Sequence, residues 1–407
     1  MVYRHVLFDS ILDVNPAEWN ALRMPSDPFM DSRFVLAVEK AFKGSGRFWH
    51  VLFYDEQNQP AASACLCLYK VDGALLADGT AAVVAGWVKR IAPWAMYFKV
   101  LFCGLPVSAG QSSLRFAPGV DSASILKQLD EVMLKIARRE RAKCIVMKEF
   151  EAEECERLGV LPELGLRRAD SLPMNHTSLK CKDFDDFLKQ MPSRKRYPIK
   201  RSQKKMAKTN LRVVQKTGGE GVAELYTDEV HKLYENVLNK AEVKLEKLPP
   251  EFFRELARNM PDESAFTFIY DGDQIVAFAA SLYNKTEFHQ MFVGVDYSRN
   301  NDVDLYFNLF FHALDYAFRQ DVADIYVGQS ADTFKQRKLG CHQRPMYFFV
   351  KGVDVLTKFV LRQAFDSFFP PHPHRADVPD DDEEGETEKA EAGKPAQGKA
   401  STDSKTT

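Results

Sequence analysis

The sequence is poor in the features that mark several protein classes. It has seven cysteines, an odd number, in 407 residues. Cys65 and Cys67 form a C-x-C pair on one strand face, but no C-x-x-C and no Cys/His zinc spacing occurs. Neither a disulfide framework nor a metal site is therefore expected, and buried thiols in a reducing cytoplasm fit this usage. Met1 to Asp9 lacks the basic start and long apolar run of a secretory signal. Ala81 to Val107 is apolar, but Lys89, Arg90, Pro93 and Lys99 interrupt it, which makes it a poor bilayer span. Three local absences are as informative. There is no acidic residue between Asp186 and Glu220, no glycine between Tyr297 and Asp304, and no extended heptad run between Gln215 and Pro261.

What is present describes two or three domains, by length, with apolar content of 45% to fill their cores. The formal net charge of −2 hides an uneven distribution. Lys189, Arg194, Lys195, Arg196, Lys200, Arg201, Lys204, Lys205 and Lys208 crowd one segment, whereas acids with Pro, Gly, Ser and Thr dominate from Pro370 onward. That last composition marks residues 371–407 as a disordered tail. Before it, Val353 to Phe369 reads as an amphipathic helix with Leu356, Phe359, Val360 and Phe368 on its apolar side.

The stretch from Ser264 to Gly340 organises the rest. Ala265 to Tyr270 and Gln274 to Tyr283 are strand-like runs around an Asp271-Gly272 turn, which predicts a hairpin. Glu287 to Val295 is a third strand. Val303 to Gln320 repeats apolar residues at steps of three and four, a helix with Asp302 as its cap. Asp324 to Gly328 is a short buried strand, Gln329 to Gly340 a basic helix, and Pro345 to Val350 a final strand. Further upstream, Val222 to Lys240 and Pro250 to Asn259 read as helices.

This unit occurs twice. Ala142 to Gly159 lies over Ala323 to Gly340 without gaps, so Val146 falls on Val327 and Arg157 on Lys338. With one gap Phe98, Phe102 and Gly104 fall on Phe288, Phe292 and Gly294. With a second, Leu68-Tyr69 fall on Leu282-Tyr283. The helix from Ser122 to Glu140, with Ile125, Leu129, Val132, Met133 and Ile136 on one face, takes the place of Val303 to Gln320. The common order indicates a tandem duplication, with a first domain over 1–182, a second over 183–352 and the amphipathic helix over 353–370. The expected class is α+β with a mixed sheet.

Strand, two helices, three antiparallel strands, helix, strand, helix, strand is the order of the GNAT acyltransferase fold. Two copies joined by a basic segment resemble its Fem-like branch, which includes peptidoglycan aminoacyltransferases and many N-acyltransferases. Phe187-Leu188, followed by Ser193-Arg194-Lys195-Arg196 and Ile199-Lys200-Arg201-Ser202, is similar to that family's entry to the second domain. Ala331 to Gly340, with Phe334-Lys335, looks like its aromatic-Lys pair before a Gly-ended turn. The resemblance implies an N-acyltransferase that keeps no permanently bound cofactor. It would move an acyl or aminoacyl group from an acyl-CoA or similar donor to an amine acceptor. It also implies that the strands at Glu287 to Val295 and Asp324 to Gly328 splay apart to admit the donor. Two departures stand out. The loop Tyr297 to Asp304 lacks the glycines with which acetyl-CoA enzymes cradle pyrophosphate, although Arg299 could still meet a phosphate. The long helical arm of transfer-RNA-dependent members is missing.

Acyl transfer to an amine needs a neutral amine, an oxyanion stabiliser and an aligned donor. Glu287 and His289 share one strand face by period two, so either could take the amine's proton, or the two could be a solvated strand pair. Asp324 and Tyr326 are the parallel candidates on the next strand. Lys335 is the leading catalytic cation, expected on a helix surface beside Phe334. Glu153 and Glu154 occupy the corresponding first-copy positions, which favours the second copy for catalysis and makes Glu154 dispensable for turnover and stability. Arg201 and its neighbours in residues 189–208 suit an anionic partner: donor phosphates, a polyanion or an anionic surface. An aminoacyl-transfer-RNA-dependent peptidoglycan enzyme is the alternative within the class. From another class comes a silent adaptor that holds a partner or a membrane through the basic segment and the C-terminal helix.

Overall fold

The computed structural model describes residues 3–24, 27–72, 97–107, 110–178, 180–241, 247–329, 335–336 and 339–371. The expected tail and Phe334, with most of the helix predicted around it, lie outside these residues. The first half contains β1 (Arg4–Phe8), α1 (Pro16–Asn20), α2 (Ser32–Ala41), β2 (Arg47–Tyr54), β3 (Pro60–Asp72), β4 (Tyr97–Cys103), β5 (Leu114–Phe116), α3 (Ser122–Glu140), β6 (Cys144–Glu151), α4 (Ala152–Arg157) and β7 (Arg167–Ser178). The second contains α5 (Phe184–Gln190), α6 (Ser193–Met206), β8 (Arg212–Thr217), α7 (Glu220–Leu225), α8 (Asp228–Lys240), α9 (Pro250–Asn259), β9 (Ser264–Asp271), β10 (Gln274–Tyr283), β11 (Glu287–Val295), α10 (Tyr297–Val303), α11 (Leu305–Arg319), β12 (Asp324–Tyr326) and β13 (His342–Gly352). Helix α12 (Val355–Phe368) follows.

One mixed sheet runs through both halves in the order β1-β2-β3-β4-β6-β13-β7-β12-β11-β10-β9-β8, with β5 beside β3. Read inward from either edge, the two halves match. β1-β2-β3-β4 and β8-β9-β10-β11 are antiparallel ladders, and β4 with β6 and β11 with β12 are parallel pairs. At the centre the closing strands change sides. β7, from the first half, pairs with β12, and β13, from the second, inserts between β6 and β7. The expected fold class and duplication are therefore present, joined by a strand exchange that local sequence did not announce.

Helices cover both faces. On one, α1 and α2 meet α8 and α9 in a shared core containing Trp19, Phe34, Leu52, Phe252, Phe253, Phe266 and Phe278. On the other, α3 packs the first half and α5 and α11 the second. Local chemistry explains most boundaries. Asn15 and Asp31 cap α1 and α2 through their side chains, with Pro16 as first residue of α1. The apolar face expected for α3 is the buried one.

Three expectations change. Val222 to Lys240 is two helices, because Tyr226 leaves the helical region (ψ 75°) and Thr227 caps the second by accepting from the Val230 amide. Asp302 does not cap a helix from Val303. It lies inside α10, which Asp296 caps, and Asp304 at φ 52° breaks α10 from α11. Finally, Leu356, Phe359 and Val360 of α12 face outward. Its packing face is Phe365 with Leu361, set against Val100, Cys144, Ala169 and Val350.

The exchange is fastened by a buried ion pair. Lys351 of β13 bonds Asp130 of α3, and its ammonium also donates to the Leu164 carbonyl at 3.1 Å. Removing one partner leaves a buried charge uncompensated. Lys351→Met is therefore expected to lower unfolding stability by about 3–5 kcal/mol in urea titration, and Lys351→Met with Asp130→Leu to recover most of that loss.

Candidate active site

Strands β11 and β12 pair over three positions only, Glu287 with Asp324, Phe288 with Ile325 and His289 with Tyr326. Beyond that rung they part, as expected, and β11 from Gln290 onward has no ladder partner on this side among the described residues. The segment after β12 is diverted toward β7. The Gly328 carbonyl accepts from the Asn175 backbone and side-chain amides at 3.2 and 3.0 Å, and the Val327 N–H donates to the Asn175 carbonyl at 2.9 Å.

Four of the expected residues gather at the apex of this wedge, on one sheet face. Glu287 and Asp324 form one rung, extended by Ser178 of β7, whose hydroxyl donates to Asp324. His289 and Tyr326 form the next, extended by His176 of β7 and His342 of β13. The His289 and Tyr326 rings stack at 4.6 Å with 9° between planes, and His176 stacks on Tyr326 at 5.8 Å. His289 Nε2 lies 2.9 Å from Glu287 Oε2. His289 is buried, and Phe29, from the segment before α2, stands edge-on over it at 4.9 Å. Asp27 holds that segment by accepting from the Phe29 and Met30 amides, and Arg115 holds Asp27 at 2.6 Å.

Electrostatics give these groups distinct states. Burial, then the Glu287 charge, pushes the Tyr326 phenol up to about 12, so it stays protonated at neutral pH. Burial, then the Arg344 charge, lowers His176 below the ordinary 6.5 and keeps it neutral. Arg344 of β13 spans the site, with its Cζ 5.4 Å from the Tyr326 ring centre and Nη1 3.4 Å from Glu151. Burial raises the Glu151 carboxyl, and the Glu154 and Glu153 charges add to this against the opposing pull of Arg344. Glu151, Ala152, Glu153, Arg344 and Pro345 line an adjoining groove of about 350 Å³.

Lys335 is not on a helix surface. It is only 3% exposed, and its Nζ lies 3.6 Å from the point where a Cβ on Gly328 would sit. Gly328, at φ 83°, takes a conformation that suits glycine and leaves the wedge wall bare beside this cation. The first half differs in its pairing. β4 and β6 pair over four positions, and then the Lys148 stem packs on Gly104, so closely that a Cβ there would be 2.7 Å from Lys148 Cγ. Glu154 is not idle either. It accepts from the Ser112 hydroxyl at 2.6 Å and from the Glu151 amide at 2.9 Å, closing the capping box of α4, so its removal costs stability.

Two expected binding residues stand apart from the apex. Arg299 of α10 is engaged by Asp271 and Asp296. Asp296 also takes the Ser298 amide and hydroxyl, so the helix start that would cradle pyrophosphate is already occupied by carboxylate. Arg201 lies on α6, where Arg196, Tyr197, Lys200, Arg201 and Lys204, with Lys208 just beyond, line a groove of about 610 Å³. Helix α6 adjoins α10 and α11, and Lys205 is tied to Asp304 at 2.9 Å. His176, Arg344 and Phe29 were missed in the sequence. The alternation of Met174, His176 and Ser178 on a strand was the one available signal. No group of three His, Cys, Asp or Glu among the described residues is placed to hold a metal.

With this geometry established, comparison with known proteins identifies the class. Residues 10–346 match the FemAB-like family, described as peptidoglycan biosynthesis/recognition. The chain belongs to that family, and it is by class an acyl- or aminoacyl-transferase. Among solved structures it is similar to a tandem GNAT protein from the clavulanic acid biosynthesis pathway, at 12% identity over 86% of this chain and 99% of that one, with a TM-score of 0.52. It is similar also to FemX, at 10% identity over 85% and 96%, with a TM-score of 0.52. At these identities the likeness establishes the tandem GNAT-like fold. No curated protein matches the chain. No helix among the described residues is long and apolar enough to cross a membrane.

The lowered His176 value has a defined sign. The unfolded chain binds a proton at this residue before the folded one does, so the residue contributes stability above pH 6.5 that is lost as pH falls through the folded value. The His176 ring resonances are expected to titrate with a midpoint below 6.5 in NMR. Arg344→Gln should move that midpoint upward by removing the neighbouring charge.

Proposed function

We propose that the protein is an N-acyltransferase whose reaction takes place at the apex of the second-half wedge. The observation that carries this reading is the parting of β11 from β12 immediately beyond the His289–Tyr326 rung, with His289 held by Glu287. The donor's acyl group enters between the parted strands, and the acceptor amine arrives beside His289. The nitrogen lone pair attacks the carbonyl carbon, and His289, oriented by Glu287, takes the proton the amine loses. Lys335 stabilises negative charge developing on the carbonyl oxygen. As the bond to the leaving group breaks, the protonated Tyr326 phenol supplies its proton. Asp324, fixed by Ser178, positions the Tyr326 rung. The longer β4–β6 pairing, with the Lys148 stem packed on Gly104, supports placing the reaction in the second half.

The loop after β11 does not fit an acetyl-CoA pyrophosphate, because carboxylates already occupy both Arg299 and the α10 start. The donor is therefore an activated acyl or aminoacyl compound whose anionic handle lies on α6, beside that loop, with Arg201 among its contacts. The groove's size and charge also favour the second reading, an aminoacyl-transfer-RNA donor. Mass spectrometry of what co-purifies separates the two: a CoA ester supports the first and RNA the second. Either reaction would draw its donor from the cytoplasm, where we place the protein.

Lys335→Ala is expected to reduce turnover about a hundredfold or more, the usual consequence of losing one partner to transition-state charge. Because Lys335 is buried, its folding is checked alongside by thermal unfolding, with Lys335→Met as the variant that keeps the stem. Native turnover by a folded Lys335→Met protein would remove this lysine from the site.

A second test addresses α6. Reversing Lys200, Arg201 and Lys204 to Glu, while leaving the Lys205–Asp304 tie intact, should weaken binding of inorganic polyphosphate about tenfold or more at low salt. Unchanged and salt-independent affinity would leave the groove with no part in donor binding.

A further inference from the structure

Helix α12 carries an apolar face that no other part of the described protein covers. Val355 is 86% exposed, Leu356 71%, Phe359 60% and Val360 38%. These four fall within one arc of its first two turns, opposite Leu361, which packs on the sheet together with Phe365 beyond a kink at Ala364. Isolated exposed apolar residues are ordinary, but four together on one helix face mark an interaction surface.

We propose that the first two turns of α12 dock the protein on an anionic lipid surface. Charge on the helix itself favours this occupant. The two acids of the helix segment are each matched, Asp354 by Lys143, just before β6, at 2.9 Å and Asp366 by Arg167 of β7 at 3.7 Å. Lys358 and Arg362 are exposed and have no ion-pair partner among the described residues. Both project between the packed side and the apolar arc, where long basic side chains reach lipid headgroups while apolar neighbours enter the acyl boundary. Size argues against a second copy of the chain as occupant. Four side chains on two turns offer well under the roughly 800 Å² per partner of a stable interface. The mode is superficial, since fourteen residues are too few to span a bilayer.

The experiment is co-sedimentation of the full chain with vesicles of phosphatidylcholine alone, and of phosphatidylcholine mixed with phosphatidylglycerol. The native protein is expected to pellet with the mixed vesicles and much less with the neutral ones. The double change Leu356→Asn with Phe359→Asn should lower the partition coefficient about tenfold or more. Lys358→Glu with Arg362→Glu should remove the preference for phosphatidylglycerol. Thermal unfolding should be unchanged in both, because none of these side chains is packed. Failure of the native chain to bind mixed vesicles, or equal binding by the Leu356/Phe359 variant, overturns the proposal. Self-association in sedimentation velocity that this variant abolishes, without vesicle binding by the native chain, would assign the face to a second copy instead.

Discussion

The passage of β13 between β6 and β7 is the constraint on which the rest of the molecule depends. Without it β6 ends the first half with an open edge, and β7 has nothing to bring it to β12. Backbone hydrogen bonds leave little latitude here, because an unpaired inner strand would bury a row of unsatisfied groups. The Lys351–Asp130 pair adds a register lock, since sliding β13 would separate two buried charges. The active-site candidates are a product of the same crossing. β7 brings His176 against Tyr326 and β13 brings Arg344 over it, while the first half supplies Phe29. A site that lies within the second half along the chain is therefore completed by strands and loops from elsewhere.

Duplication gave two wedges, and side-chain chemistry has treated them differently. In the first, the Lys148 stem packs on Gly104, and its ammonium reaches the Val107 carbonyl at 3.5 Å and Glu149 at 3.7 Å. The carboxylates that follow serve as caps and groove walls. In the second, glycine stands where a side chain would project, and a buried cation lies behind it. The two halves therefore differ most at the point where their parallel strands part. Shared fold alone would not separate them.

Much of this was legible in the sequence because it is local. Period two placed Glu287 and His289 on one face, and the short strand after α11 placed Asp324 and Tyr326 beside them. Helix α3 and strands β10 and β11 were bounded correctly because their apolar spacing and turn residues agree. What stayed hidden depends on distant pairing or on single backbone angles. His176 and Arg344 join the site through the exchange, which no periodicity encodes. The start of α11 was misplaced because Asp304 adopts a left-handed angle that an acidic loop does not signal. For α12 the apolar face was recognised, but composition could not say that the sheet would take the Phe365 side and leave Leu356 and Phe359 outside. Lys335 is buried where an exposed helix lysine was expected, since burial of a lysine is rarely visible in sequence.

Chain order gives the exchanged strand a consequence during synthesis. When β6 emerges from the ribosome, its neighbour is still about two hundred codons away, which at typical elongation rates is roughly ten to forty seconds. Throughout that interval the edge of Cys144 to Glu151, whose side chains are largely apolar, lacks its native partner on that side. Such an edge invites pairing with another nascent chain on the same messenger. The protein thus completes its native sheet only after nearly all its strands are made, and slowing translation between β7 and β13 would lengthen the period in which it is most prone to aggregate.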